Sequence, residues 1–209
     1  MLIHQTVSEF LDTTASSAPA PGGGSVSALA GALGAALTSM VCRLTIGKKK
    51  YTAVEHEMQE TLALAEDVRV QCRSLIDEDT AAFNTVMAAF GLPKDTEEQK
   101  SVRTRAIHTA TRQATMVPLE LLRTLERSVP LVEAVAEKGN ANSRSDAGVA
   151  ALLIGTAARG AALNIYVNLS GLPEDAFRGE TQMETEERER KITEQTDRIA
   201  ATVRSALRG

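Results

Sequence analysis

Four stretches of the chain carry residue types that could do chemistry. Residues 22–25 read Gly22-Gly23-Gly24-Ser25. A backbone without side chains can approach a ligand closely, and Ser25 stands where a helix would start, so unpaired N–H groups should face the loop. Residues 77–79 read Asp77-Glu78-Asp79. Asp79 is three residues past Ile76, four past Leu75 and four before Phe83, which puts it on an apolar helical stripe where a hydrophobe is expected. Asp77 lies about 200° around the same helix. A carboxylate on a buried face is costly unless it is paired, hydrogen-bonded or used, and burial raises its pKa toward the range of a general base or acid. The plainer alternative is that the stripe drifts here and all three acids form a solvated face.

Lys48-Lys49-Lys50 follow Gly47. They would hold a carboxylate or phosphate as point charges, although three lysines after a helix also make an ordinary solvated turn. The run 139–146 contains Asn142, Ser143, Ser145 and Asp146. Ser143 or Ser145 can cap the next helix, and Asp146 suits its first turn. Asp146 and Asn164 are eighteen residues apart, about five helical turns, so they share a face. Asn168 continues it, with Ala150, Ala157 and Ala161 between. Such a face fits a pocket wall, and equally fits close helix packing with buried, satisfied asparagines.

The elements that must position these residues read as helices throughout. Val7, Phe10 and Leu11 make a short stripe. Residues 25–46 form a small-residue helix interrupted by Gly31 and Gly34, each costing about 1 kcal/mol relative to Ala, which makes sense where another helix or a ligand comes close. Gly47 stops it. Residues 52–90 repeat apolar positions three or four apart and end at Gly91-Leu92-Pro93. Asp95 and Glu98 resemble a capping box. The next helix should kink at Pro118 and break at Pro130, with a further segment ending near Gly139-Asn140. Residues 145–169 are alanine- and glycine-rich. In the charged tail, Ile192, Ile199, Val203 and Leu207 make a narrow stripe for docking on the body or on a partner subunit. No sustained period-2 alternation occurs. The expected fold is all-α, an up-and-down bundle of long helices packed through small residues, with residues 1–209 as a single domain.

Composition narrows the function classes. The chain has 209 residues, formal net charge −4, 3% aromatics and no Trp, enough length for a core and no basic excess for nucleic acid. Cys42 and Cys72 lie in helical patterns and read as buried reduced thiols. His4, His56 and His108 are scattered, which argues against a zinc site and leaves no metal expected. No signal peptide is apparent, and residues 26–46 are too polar for a membrane span. The expected compartment is the cytoplasm, without membrane or nucleic-acid partners. Neither G-x-x-x-x-G-K-[ST] nor a strand-borne G-x-G-x-x-G is present, so ATP and NAD fit poorly.

Read in order, Pro-Ala-Pro-Gly-Gly-Gly-Ser (19–25), Met-Val-Cys-Arg-Leu-Thr-Ile-Gly-Lys-Lys-Lys-Tyr (40–51), Asp77-Glu78-Asp79 with Ala82-Phe83, Gly91-Leu92-Pro93-Lys94 and Ser-Asp-Ala-Gly-Val-Ala (145–150) resemble the formimidoyltetrahydrofolate cyclodeaminase / methenyltetrahydrofolate cyclohydrolase family. The resemblance implies an all-helical homodimer acting on a one-carbon tetrahydrofolate, with no tightly bound cofactor. Ser-Ser-Ala-Pro (16–19), Cys42 in its motif, Ala-Glu-Lys-Gly-Asn (136–140) and the 145–150 run are most similar to the stand-alone bacterial cyclohydrolase. This favours hydrolysis of 5,10-methenyltetrahydrofolate to 10-formyltetrahydrofolate. The alternatives are ammonia release from 5-formimidoyltetrahydrofolate and a non-catalytic folate-binding helical protein. Carried onto these residues, the resemblance makes Asp79 the base, with Asp77 as the alternative. Lys49 and Lys50 would take the glutamate tail, and Asp146 and Asn164 the pterin or one-carbon edge. Gly22, Gly23, Gly24, Ser25 and Asn142 complete the substrate-binding set.

Overall fold

The computed structural model describes residues 1–208. After a 3-10 turn, Leu2–His4, the chain forms α1 (Val7–Thr14), α2 (Gly23–Thr45), a second 3-10 turn (Lys49–Val54), α3 (Glu55–Phe90), α4 (Glu97–Lys138), a third 3-10 turn (Ala141–Ser143), α5 (Arg144–Ser170) and α6 (Ala176–Arg208). No strand occurs among the described residues, in agreement with the all-α expectation. Five long helices run up and down. α2 lies between α3 and α5, α4 closes the other side of the same core, and α6 covers α5 and α4.

Small residues set the spacing. A Cβ on Gly31 would lie 2.9 Å from Leu125 Cδ2, and one on Gly34 2.8 Å from Ile154 Cδ1. The helices therefore meet closer than alanine allows, which accounts for glycines inside α2 despite their low helix propensity. On α5, Ala147, Ala150, Ala151, Ala157, Ala158, Ala161 and Ala162 are fully buried. α2 and α5 are long and apolar enough to cross a membrane, but 56% of each apolar window is buried inside the bundle. Cys42 and Cys72 are free and buried, and burial pushes their thiols up to about 11 and about 12.

Several boundaries differ from the sequence reading. α4 is one continuous helix through Pro118 and Pro130. Pro118 is buried in the packed face, and Pro130 lies on the exposed face, where water can take the carbonyl it frees. Packing along 42 residues outweighs two lost hydrogen bonds. The capping box that opens α4 is Thr96 with Gln99, one residue on from Asp95 and Glu98. α2 starts at Gly23, and Gly22 is its N-cap; Ser25 sits inside the first turn. Gly47, at φ 74°, ends the α2 segment as expected. Ile192, Ile199 and Val203 dock α6, whereas Leu207 is exposed.

Candidate functional site

The N-terminus of α2 meets the middle of α3. Gly22 offers no capping side chain, and the first-turn N–H groups of a helix have no acceptors of their own. Asp79 on α3 supplies one from outside. Its Oδ2 accepts from the Ser25 N–H at 2.8 Å and lies 2.9 Å from Ser25 Oγ. Ser25 is fully buried, and its hydroxyl is also 2.9 Å from the carbonyl oxygen of Ile76 and 3.2 Å from Thr80 Oγ1. The carboxylate thus does the work of an N-cap across 54 residues of sequence.

This contact explains the glycines. A Cβ on Gly24 would lie 2.5 Å from Asp79 Cγ and closer still to its Oδ1; a Cβ on Gly23 would lie 3.3 Å from Asn164 Nδ2. Two glycines in sequence give way to two polar side chains from two other helices. Asn164 is itself held by Nδ2 donating to the Gly160 carbonyl at 2.8 Å.

Above Asp79 opens a cleft of about 390 Å³. Its floor is Gly22, Gly23, Gly24 and Asp79; one wall is Phe83, Val86, Met87 and Phe90 of α3; the other is Asn164, Val167 and Asn168 of α5; Ala114 and the Pro19-Ala20 loop close the ends. The size suits a drug-sized organic molecule, and the mixture of an apolar wall with a few convergent polar groups is typical of such sites. Burial raises the Asp79 pKa, and the two hydrogen bonds from Ser25 hold it back. The N-terminal end of α2 acts in the same direction as Ser25, because its dipole favours the anion. A carboxylate raised in this way can take up a proton and return it.

Asp77 faces elsewhere. Its Oδ1 accepts from the Leu2 N–H at 2.5 Å, fastening the first 3-10 turn to α3, while its Oδ2 is buried without a partner. Glu78 is exposed and accepts from Ser74 Oγ. The lysines stand at the opposite end of α2, roughly 35 Å along its axis from the cleft. Lys49 and Lys50 lie in the exposed 3-10 turn 49–54, and Lys50 sits over the Tyr51 ring at 5.5 Å. That turn is anchored: Tyr51 Oη accepts from the Ala141 N–H at 2.9 Å, and Asn140 donates to Thr45 Oγ1 and the Leu44 carbonyl, both at 2.8 Å. Asn142, whose N–H donates to Asn140 Oδ1 at 3.1 Å, and Asp146 belong to this end too. The structure therefore gathers Asp79, Gly22, Gly23, Gly24, Ser25 and Asn164 at one end of the α2–α5 pair and Lys49, Lys50, Asn142 and Asp146 at the other. The sequence marks Phe83, Val86 and Phe90 of the α3 wall only as core periodicity and does not single out Met87; the exposure of Met87 and Phe90, which distinguishes the wall, is set by packing.

Fold and cleft together define an all-helical protein that holds one raised carboxylate against a helix N-terminus at the base of a mostly apolar cleft. The family model described as Formiminotransferase-cyclodeaminase matches residues 6–187. The chain is 48% identical over 204 residues to a protein of Methylorubrum extorquens named methenyltetrahydrofolate cyclohydrolase, covering 98% of each. It is 35% identical over 181 residues to the formimidoyltransferase-cyclodeaminase of Rattus norvegicus, covering 87% of this chain and 34% of that one. The crystal structure of formiminotetrahydrofolate cyclodeaminase from Thermotoga maritima superposes with a TM-score of 0.87 at 30% identity, over 99% of this chain and all of the other. The chain belongs to the formiminotransferase-cyclodeaminase family, as its motifs had indicated.

Proposed function

We propose that this protein is a methenyltetrahydrofolate cyclohydrolase, converting 5,10-methenyltetrahydrofolate and water to 10-formyltetrahydrofolate. The observation that carries the reading is the 48% identity, over nearly the full length of both chains, to a protein of that name. The cleft agrees with it chemically. The substrate's one-carbon unit is a cationic amidinium between N5 and N10, and Asp79 places a carboxylate at the cleft floor to stabilise that charge. Water adds to the methenyl carbon while Asp79 takes its proton. The neutral tetrahedral adduct then loses its hydroxyl proton to solvent. The C–N5 bond breaks, N5 takes the proton back from Asp79, and the formyl group stays on N10. One proton is released overall, which balances the loss of the cationic charge. The apolar α3 wall with Phe83 and Phe90 offers a surface for the flat pterin, and Asn164 offers hydrogen bonds to its edge.

The test is the absorbance of 5,10-methenyltetrahydrofolate with and without protein. Accelerated loss of the chromophore supports the cyclohydrolase. The second reading, ammonia release from 5-formimidoyltetrahydrofolate, is favoured by the likeness to the Thermotoga maritima structure. It predicts gain of the chromophore from the formimidoyl compound without accelerated loss. Binding of tetrahydrofolate with neither reaction would leave a folate-binding protein. Besides the folate the hydrolysis consumes only water, so the reading calls for no cofactor.

A further inference from the structure

One hydrogen at the base of the cleft has two acceptors. Ser25 Oγ lies 2.9 Å from the Ile76 carbonyl oxygen and 2.9 Å from Asp79 Oδ2, and a serine hydroxyl carries a single proton. It donates to one or to the other. Asp79 Oδ2 also accepts the Ser25 N–H. Asp79 Oδ1 has no hydrogen-bond partner among the described residues and remains accessible, so it is the oxygen left to take a proton from the cleft.

Thr80 follows Asp79 on α3. A threonine inside a helix commonly turns its hydroxyl back to the carbonyl four residues earlier. Thr85 on the same helix does so, donating to Ala81 at 3.0 Å, and Thr115 on α4 donates to Thr111 at 2.7 Å. For Thr80 that carbonyl belongs to Ile76, and Ser25 Oγ has come in from α2 to meet it. Thr80 Oγ1 is turned instead to Ser25 Oγ, 3.2 Å away, which is its one side-chain hydrogen bond. With its own hydrogen claimed by the carboxylate or the carbonyl, Ser25 meets Thr80 as an acceptor. Thr80 is half-buried and does not line the cleft. No other charged side chain contacts Asp79 or lines the cleft among the described residues. α2 presents Gly23, Gly24 and Ser25, α5 presents Asn164, and α4 presents Ala114. On α3 itself, Asp77 turns to Leu2 and Glu78 to Ser74.

We propose that Thr80 is a positioning residue for the reaction: by donating to Ser25 Oγ it sets the Ser25 hydroxyl to alternate between Asp79 Oδ2 and the Ile76 carbonyl as the carboxyl loses and gains a proton. While Asp79 is ionised, the bonds run from Thr80 to Ser25 to Asp79. A hydroxyl that accepts one hydrogen bond donates the next more strongly, and the last bond in the row is charge-assisted. Once a proton from water sits on Oδ1 the carboxyl is neutral. The Ile76 carbonyl then competes on equal terms, and the Ser25 hydrogen turns to it. Thr80 donates to Ser25 in both states, so no heavy atom has to move between them. The proton therefore comes and goes without repacking of the α2 N-terminus, which keeps the site preorganised. Ser25 holds back the rise that burial gives the Asp79 pKa, and Thr80 strengthens that hold. The proton-carrying role of Asp79 rests on the hydrolysis proposed above; the row of hydrogen bonds does not.

The experiment follows Asp79 in two ways, by kcat against pH for 5,10-methenyltetrahydrofolate and by NMR titration of its carboxyl-carbon resonance, identified by its loss in Asp79→Asn. The chains compared are the unmodified protein, Thr80→Val, Thr80→Ser, Ser25→Ala and the double variant Ser25→Ala with Thr80→Val. Thr80→Val should move the acid limb and the resonance midpoint to higher pH, by less than Ser25→Ala does. Thr80→Ser keeps a hydroxyl and should return both to their unmodified positions. In the Ser25→Ala background Thr80→Val should move neither any further, because Thr80 acts only through Ser25. A midpoint that stays put in Thr80→Val, or the same upward shift with the Ser25 hydroxyl already gone, overturns the proposal. Should Thr80→Val not fold, Thr80→Ala removes the same hydroxyl at a half-buried helical position and carries the same expectation. The carboxyl titration needs no turnover. A protein that does not hydrolyse the substrate sinks the hydrolysis reading, and the resonance alone then decides for or against Thr80.

Discussion

Asp79 accepts the backbone N–H of Ser25 at 2.8 Å, so the carboxylate proposed to do the chemistry is also the cap of the helix that forms the cleft floor. Catalytic group and scaffold are one contact, and substitutions on either side of it should be felt on both.

Asp79→Asn keeps an oxygen to accept from Ser25 but cannot take a proton from water. It should lower kcat for methenyltetrahydrofolate hydrolysis by about 10²–10⁴-fold while helicity by circular dichroism and folate affinity are largely retained. Near-normal turnover would remove Asp79 from the mechanism.

Asp77→Ala separates the two acids. Asp77 holds the Leu2 N–H and does not line the cleft. The variant should lose about 1 kcal/mol of stability in denaturant titration with kcat within about twofold of the unmodified protein. A loss of turnover as large as that of Asp79→Asn would move the base to Asp77.

Gly24→Ala tests the close approach. Its new methyl group would overlap the Asp79 carboxylate, and the carboxylate must swing away from Ser25. A displacement of this order should cost about 10²-fold in kcat without loss of fold, as judged by hydrodynamic radius and circular dichroism.

The pH profile should carry the mark of Asp79. Burial raises its pKa above the ordinary 3.8, and the ionised form is the base, so kcat should fall as pH drops through that raised value. Ser25→Ala removes a hydrogen bond to the anion, which raises the pKa further. The acid limb of kcat against pH should therefore move to higher pH in the variant. A limb that stays put or moves down would break the link between Ser25 and Asp79.

Acid should loosen α6. Glu184 bonds Arg123 Nε at 2.9 Å and Arg188 Nε at 2.8 Å, and Arg123 holds its carboxyl down at about 2, against an ordinary 4.5. A depressed carboxylate contributes stability that is present above its unfolded pKa and lost as pH falls through the folded one. Thermal stability should thus decline between pH 4.5 and about 2, and Glu184→Gln should flatten that decline.

Much of this protein was legible in its residues. Periodicity of three and four gave the helices, because an amphipathic stripe has to be buried whatever covers it. The misplaced Asp79 was visible for the same reason: a carboxylate on that stripe breaks a local rule. Family membership was legible in motifs that need no geometry. Other features were decided only by the tertiary structure. The continuity of α4 through Pro118 and Pro130 depends on neighbours that outweigh local propensity. Gly24 is glycine because of a side chain 55 residues away, and no local pattern encodes that. Asp77 and Asp79, two residues apart, differ because one meets the chain's first turn and the other a helix N-terminus. The separation of Lys49 and Lys50 from Asp79 follows from the length of α2, a rigid rod that holds its two ends apart.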